Sequence, residues 1–265
     1  MKKLVALDLD GTLLNSSHKI SKANYDTLKN LAERGVIISL ASGRMYKSMR
    51  PFIDELGLGT NTIAYNGAMI VDANGNILYE DQLSVDFTKE LIKYCAENDL
   101  HLNYYVNDDL FTLKDDKWLK LYGDRTGMYA NIVKDFPIEK APTKMLIIDE
   151  PEKITGLYNE LSKKYGDHAY VTISNIEYLE FMPIMANKGA ALEKLADIYG
   201  VSQNDTIFFG DASNDISAVK WAGAGVAMEN GCEPIKEIAD IIAPDADLDG
   251  VSILLNDIFA DLLKS

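Results

Sequence analysis

The chain opens with an apolar run, Leu4-Val5-Ala6-Leu7, that ends in Asp8-Leu9-Asp10-Gly11-Thr12. Alternation along a strand puts Asp8 and Asp10 on one side, and Gly11 is free to adopt backbone angles that other residues avoid. Four fixed positions, each at about 5–7% usage, recur by chance about once in 10⁵ positions. An accident of that kind in one chain of this size is rare. A strand that delivers two carboxylates at its C-terminal end is therefore the expected centre of a site.

The segments that follow alternate. Ser21 reads as a helix N-cap with Ile20 before it as a staple. Tyr25, Leu28, Leu31 and Ala32 then recur at helical spacing up to Gly35. A second strand, 36–41, ends in Ser42-Gly43-Arg44, and a helix interrupted by Pro51 runs to Gly57. Thr62 to Tyr65 reads as a third strand, which makes β-α-β-α-β, the rhythm of a parallel sheet. Residues 68–72 and 77–80 flank Ala73-Asn74-Gly75-Asn76, a hairpin signal.

From Leu83 to Ala186 the rhythm changes to strands at 102–106, 110–113, 144–149, 169–173 and 178–182, with helices at 87–98 and 152–165. This reads as a small antiparallel sheet with helices on one face. From Asn187 the first rhythm returns: a helix from Lys188 to Gly200, a strand at 206–209 ending in Gly210-Asp211-Ala212-Ser213-Asn214-Asp215, then further short elements and a last helix at 251–263. The expected organisation is one domain built from 1–82 and 187–265, with 83–186 inserted into it.

Composition narrows the class of partner. A formal net charge of −15 repels nucleic acid and acidic membrane surfaces, so neither is expected. No apolar run approaches the ~20 residues of a membrane span, and Asp8 and Asp10 break the N-terminal run too early for a signal peptide. Cys95 and Cys232 stand far apart with no metal-ligand spacing, which predicts a reducing, cytoplasmic setting.

In an open parallel sheet, ligands bind outside the carboxyl ends of the strands. Three polar clusters fall at such ends: Asp8/Asp10, Ser42-Gly43 and Asp211/Asn214/Asp215, with Lys188 at a helix start. A calcium loop beginning at Asp8 needs Gly at its sixth position and Glu at its twelfth, where the chain has Leu13 and Lys19. Magnesium, which takes one or two carboxylates plus waters and phosphate oxygens, fits better.

Asp8-Leu9-Asp10-Gly11-Thr12, Ser42-Gly43-Arg44, Asn187-Lys188-Gly189 and Gly210 to Asp215 together resemble the four motifs of the haloacid dehalogenase superfamily. Asn66-Gly67-Ala68, Gly225 to Met228 and Asp249-Gly250-Val251 further resemble its Cof-type phosphatases, which carry a class IIB cap. The resemblance implies an α/β fold: a Rossmann-like parallel-sheet core with an inserted α/β cap. It also implies a Mg²⁺-dependent phosphatase acting on a small phosphorylated metabolite. Asp8 would be the nucleophile and Asp10 the general acid and base. Mg²⁺ would be held by Asp8, the Asp10 backbone carbonyl, Asp211 and Asp215. Phosphoryl oxygens would be held by Ser42, the backbone N–H groups of Leu9 and Gly43, Lys188 and Asn214. The chain departs from the family pattern at Ser42, at Ser217-Ala218-Val219 and at Glu229.

Substrate choice would fall to the cap. Arg44, Tyr104, Tyr178 and Glu180 are the candidate substrate contacts, with the caution that Tyr104 and Tyr105 face opposite ways along a strand. Tyrosines in the inserted segment suit a flat ring such as FMN or pyridoxal phosphate, and equally a sugar face. A phosphomutase of the phosphomannomutase type is the rival enzyme, and a non-catalytic phosphometabolite-binding protein the rival outside enzymes. A monomer or weak homodimer is the expected assembly.

Overall fold

The computed structural model describes residues 2–264. They form two compact units, one built from 2–79 and 187–264, the other from 80–186. The first junction lies inside a strand, a position that no shift in composition marks.

The first unit is built on a five-stranded parallel sheet in the order Ile241–Ala243, Ala224–Met228, Thr206–Gly210, Leu4–Leu7, Ile37–Leu40. All four residues of Leu4–Leu7 are buried, as expected for a strand covered on both faces. Helix Lys22–Glu33 starts where the Ser21 side chain accepts from the Asn24 N–H, at 3.1 Å. Helix Lys188–Tyr199 is capped by Asn187, whose side chain accepts from the Ala190 N–H at 2.8 Å, and ends on a left-handed Gly200. Its Ala191, Leu192 and Leu195 pack with Leu4, Ala6 and Phe208 of the sheet. Helix Tyr46–Leu56 runs through Pro51 without ending there.

The expected third strand is shorter than its apolar run and joins a different sheet. Thr62–Ala64 pairs antiparallel with Met69–Val71, followed by Ile77–Glu80 in a three-stranded sheet, and meets the parallel sheet at the Ala41–Ile63 bridge. The reason is the turn Tyr65–Gly67, which sends the chain straight back along its own strand. The last helix, read from sequence as continuous, is interrupted at Phe259.

The second unit holds a six-stranded sheet, Tyr170–Asn175, Tyr178–Met182, Lys144–Ile148, His101–Val106, Asp109–Thr112 and Asn131–Ile132, antiparallel except for the last pair. Helices Val85–Glu97 and Pro151–Tyr165 cover one face through Phe87, Leu91, Leu157 and Leu161. Helix Lys117–Thr126 has no counterpart among the elements expected from the sequence. Gly123 stands in its interior, where a Cβ would run into the Tyr129 ring, and its Tyr122 lies beside Tyr178 at 5.8 Å between ring centroids. Among the described residues, no helix is long and apolar enough to cross a membrane.

Candidate active site

Register decides which residues meet. Leu7 aligns with Leu40 on one side and Phe209 on the other. Asp8, Ser42 and Asp211 therefore follow the carboxyl ends of three adjacent strands. The Asp8 N–H still donates to the Phe209 carbonyl at 3.0 Å, which fixes the start of the turn. Gly11, at φ 80°, turns the chain where any Cβ would collide with the Asp211 carboxylate.

The centre is a buried charge cluster. Lys188 is fully buried, and its Nζ lies 2.6 Å from Asp8 Oδ1 and 2.6 Å from Asp215 Oδ1. Asp215 Oδ2 accepts from the N–H groups of Asp211 and Ala212, both at 3.1 Å. Thr12 Oγ1 donates to Asp211 Oδ1 at 3.2 Å. Asp8, Asp211 and Asp215 each offer a carboxylate oxygen, and these three atoms lie within 4.8 Å of one another.

When all three carboxylates are ionised, the single ammonium leaves two negative charges, on residues that are buried except for the half-buried Asp211. The electrostatics follow. Burial raises the Asp8 carboxyl well above its ordinary value; Lys188 opposes this, and Asp215 and Asp211 add to it. Burial, then the charge of Asp215, pushes Asp211 up to about 6. Burial works against the Lys188 ammonium, but Asp215 and Asp8 outweigh it and hold the lysine charged. An all-oxygen, doubly negative donor set suits a hard divalent cation, so the residues fit a metal.

Asp10 stands apart from this cluster. Its two oxygens pair with Arg44, at 2.7 Å from Nε and 2.5 Å from Nη2, and the Arg44 guanidinium lies over the Phe52 ring. Ser42 is buried, and its Oγ accepts from the Arg44 N–H at 3.2 Å. Leu9 is buried between the two aspartates, and its carbonyl accepts from Leu14 N–H at 2.8 Å. Asn214 is exposed and donates from Nδ2 to Asn66 Oδ1 at 2.8 Å. Gly43 lies against that same Asn66 amide.

The candidate contacts in the inserted unit separate. Tyr104 faces the helix-covered side: it stacks on Phe136 at 4.9 Å and donates its hydroxyl to the Lys140 carbonyl, so it is a packing residue. Tyr105, its neighbour, faces the other way. Tyr178 lies on that opposite face, with the Arg125 guanidinium 5.8 Å from its ring. Glu180 is buried there and accepts from Lys144 Nζ at 2.5 Å and Ser174 Oγ at 2.7 Å. Two residues are given no role by the sequence: Asn66, which enters there only through the family resemblance, and Asn230, whose amide donates to the Gly11 carbonyl and accepts from the Ala246 N–H. Paired Asn side chains in turns leave no periodic signal; their signature is only the Asn-Gly and Asn-Gly-Cys context.

Comparison with known proteins agrees with this geometry. A family model for haloacid dehalogenase-like hydrolases matches residues 5–255. The chain is 30% identical over 239 residues to the HMP-PP phosphatase of Yersinia pestis, across 89% of this chain and 87% of that one. Among solved structures, a haloacid dehalogenase-like hydrolase from Bacteroides thetaiotaomicron is 32% identical with a TM-score of 0.90, over 98% of this chain and 100% of that one. A Thermotoga maritima protein is 31% identical with a TM-score of 0.91, over 97% of both chains. The match begins in the strand that carries Asp8 and ends in the last long helix, so the chain belongs to the haloacid dehalogenase-like hydrolases, as a Cof-type phosphatase.

Proposed function

We propose that the protein is a Mg²⁺-dependent phosphatase that hydrolyses small phosphorylated metabolites, sugar phosphates or phosphorylated cofactors such as FMN or pyridoxal phosphate, through an aspartyl-phosphate. The observation that carries this reading is the unequal setting of two carboxylates two residues apart. Asp8 is buried and bridged to Lys188, whereas Asp10 is exposed and paired with Arg44.

Asp8 attacks phosphorus in line, and the bond from phosphorus to the leaving oxygen breaks. Asp10 gives its proton to that oxygen. Water then attacks the same phosphorus, Asp10 takes the proton from it, and the bond to Asp8 breaks to release phosphate. One carboxylate cannot do both jobs, because Asp8 is phosphorylated while the proton moves. Arg44 occupies both Asp10 oxygens, so proton transfer requires that pair to open. Lys188 offsets the repulsion between Asp8 and an incoming anion, and it keeps Asp8 and Asp215 in place. Ser42, Asn214 and the N–H groups of Leu9 and Gly43 hold phosphoryl oxygens. Mg²⁺ bound by Asp8, Asp211, Asp215 and the Asp10 carbonyl would supply neutralisation of the charge spread over the transferring group.

Substrate choice is assigned to the inserted unit. Tyr178 is the candidate contact there, while Glu180 is engaged by Lys144 and Ser174 and Tyr104 packs against Phe136. The free cysteines, Cys95 and Cys232, support a cytoplasmic setting, and a monomer or weak homodimer is the proposed assembly.

The test is a phosphate-release screen with Mg²⁺ over sugar phosphates, nucleotides, FMN, pyridoxal phosphate and HMP-PP, the compound for which the Yersinia relative is named. Release from at least one small phosphoester is expected, with loss of about 10³-fold or more in Asp8→Asn. No release from any of them, or a fully active Asp8→Asn, overturns the reading.

A further inference from the structure

The turn Tyr65-Asn66-Gly67 lies at the meeting point of three site segments, yet none of its residues has a place in the chemistry above. Tyr65 and Asn66 both sit in the left-handed region, at φ 51° and 53°, and Gly67 follows at φ 100°. Two consecutive non-glycine residues there are costly, and such strain persists only where surrounding contacts hold it. Those contacts are specific. The Tyr65 N–H donates to the Arg44 carbonyl at 2.9 Å and the Asn66 N–H to the Ser42 carbonyl at 3.0 Å. The turn is therefore pinned to the Ser42-Gly43-Arg44 loop. A Cβ on Gly67 would strike the backbone of Asn187, the residue before Lys188.

The side chain of Asn66 reaches the third segment. Its Oδ1 accepts from Asn214 Nδ2 at 2.8 Å. Its amide is confined from the other side by Gly43, where a Cβ would stand 2.8 Å from Oδ1 and 3.1 Å from Nδ2. An exposed Asn amide that must present a donor to a phosphoryl oxygen otherwise rotates through two nearly equivalent orientations. Accepting one Nδ2 hydrogen fixes which edge of Asn214 faces outward.

We infer that Asn66 is a positioning residue: its left-handed turn holds an amide oxygen that orients the Asn214 amide for the phosphoryl group. This rests on the phosphate-holding role proposed for Asn214. The contact to Asn214, made by a strained residue over a glycine too small to obstruct it, carries the inference. Asn66 acts through Asn214, so its effect must vanish when Asn214 is gone.

The experiment is a double-mutant cycle on the full-length protein with Mg²⁺ and p-nitrophenyl phosphate. Asn66→Gly is the informative substitution, because Gly relaxes the left-handed backbone while removing the amide. Its melting temperature is expected to stay near the wild type's. Its kcat/KM is expected to fall about tenfold, the scale of one lost hydrogen bond, and inhibition by inorganic phosphate to weaken with it. Asn214→Ala is expected to show a similar fall, and the double variant to fall no further than Asn214→Ala alone. Singles that multiply in the double variant, or a wild-type kcat/KM in Asn66→Gly, overturn the inference while leaving Asn214 its role. An Asn214→Ala variant with wild-type kcat/KM removes that role and the inference with it.

Discussion

Asp211 offers a direct check on the site's electrostatics. Its carboxyl is held near 6, chiefly by burial and then by Asp215, against 3.8 when unfolded. A raised acid pKa means that the folded state binds more protons through that window. Asp211 therefore costs stability once it is ionised, above about pH 6, and the cost disappears as pH falls toward the unfolded value. In EDTA, Asp211→Asn is expected to melt above the wild type at about pH 7.5, with the gap narrowing at about pH 5.5. Differential scanning calorimetry at both pH values measures it; a gap that widens on acidification contradicts the assignment. Lys188 is different in kind. Truncating it would leave Asp8 and Asp215 buried without a counter-charge, a class of change that costs about 3–5 kcal/mol, so its loss confounds folding with chemistry.

At the scale of elements, much was readable because local chemistry and burial agree. Leu4–Leu7 is uniformly apolar and uniformly buried, Ser21 starts its helix with a side-chain oxygen, and Gly200 ends another because, lacking a Cβ, it takes the left-handed conformation freely. Asn187 is a third such signal: its cap bond to the Ala190 N–H holds the first turn of the helix that carries Lys188. Asn187→Ala is expected to lower stability by about 1 kcal/mol, read as a shifted urea midpoint. It should also lower activity by more than that loss of folded protein explains, since the Lys188 end of the helix would fray. The orientation of Tyr104 is legible in the sequence. Leu102, Tyr104 and Val106 share the apolar phase of their strand and His101, Asn103 and Tyr105 the polar one. Helix Lys117–Thr126 was not readable, because Gly123 makes sense only once Tyr129 is seen against it. Nor was the sheet joined by Thr62–Ala64, since strand periodicity says which residues share a face and nothing about which neighbour pairs.

At the scale of the whole molecule, the doubly negative cluster of Asp8, Asp211, Asp215 and Lys188 joins residues from the first and last thirds of the sequence. A divalent ion bound there stabilises the folded state and has no comparable site in the unfolded chain. Saturating Mg²⁺ is expected to raise the melting temperature by several degrees, and Asp211→Asn to abolish most of that rise. An equal rise in both proteins would place the binding elsewhere.

The pairing of Leu4 with Thr206 on one side and Ile37 on the other also dictates an order of events during synthesis. The strand that leads into Asp8 leaves the ribosome before the inserted unit does, yet one of its two neighbours is made some two hundred residues later. In the interval the inserted unit, whose sheet and apolar cluster draw only on residues 80–186, is complete and can close on itself, while the opening strand still presents an unpaired edge. Slow, long-range parallel pairing of this kind is where nascent chains are exposed to aggregation. A ribosome stalled before Thr206 would thus hold a folded insert and an unfinished catalytic sheet.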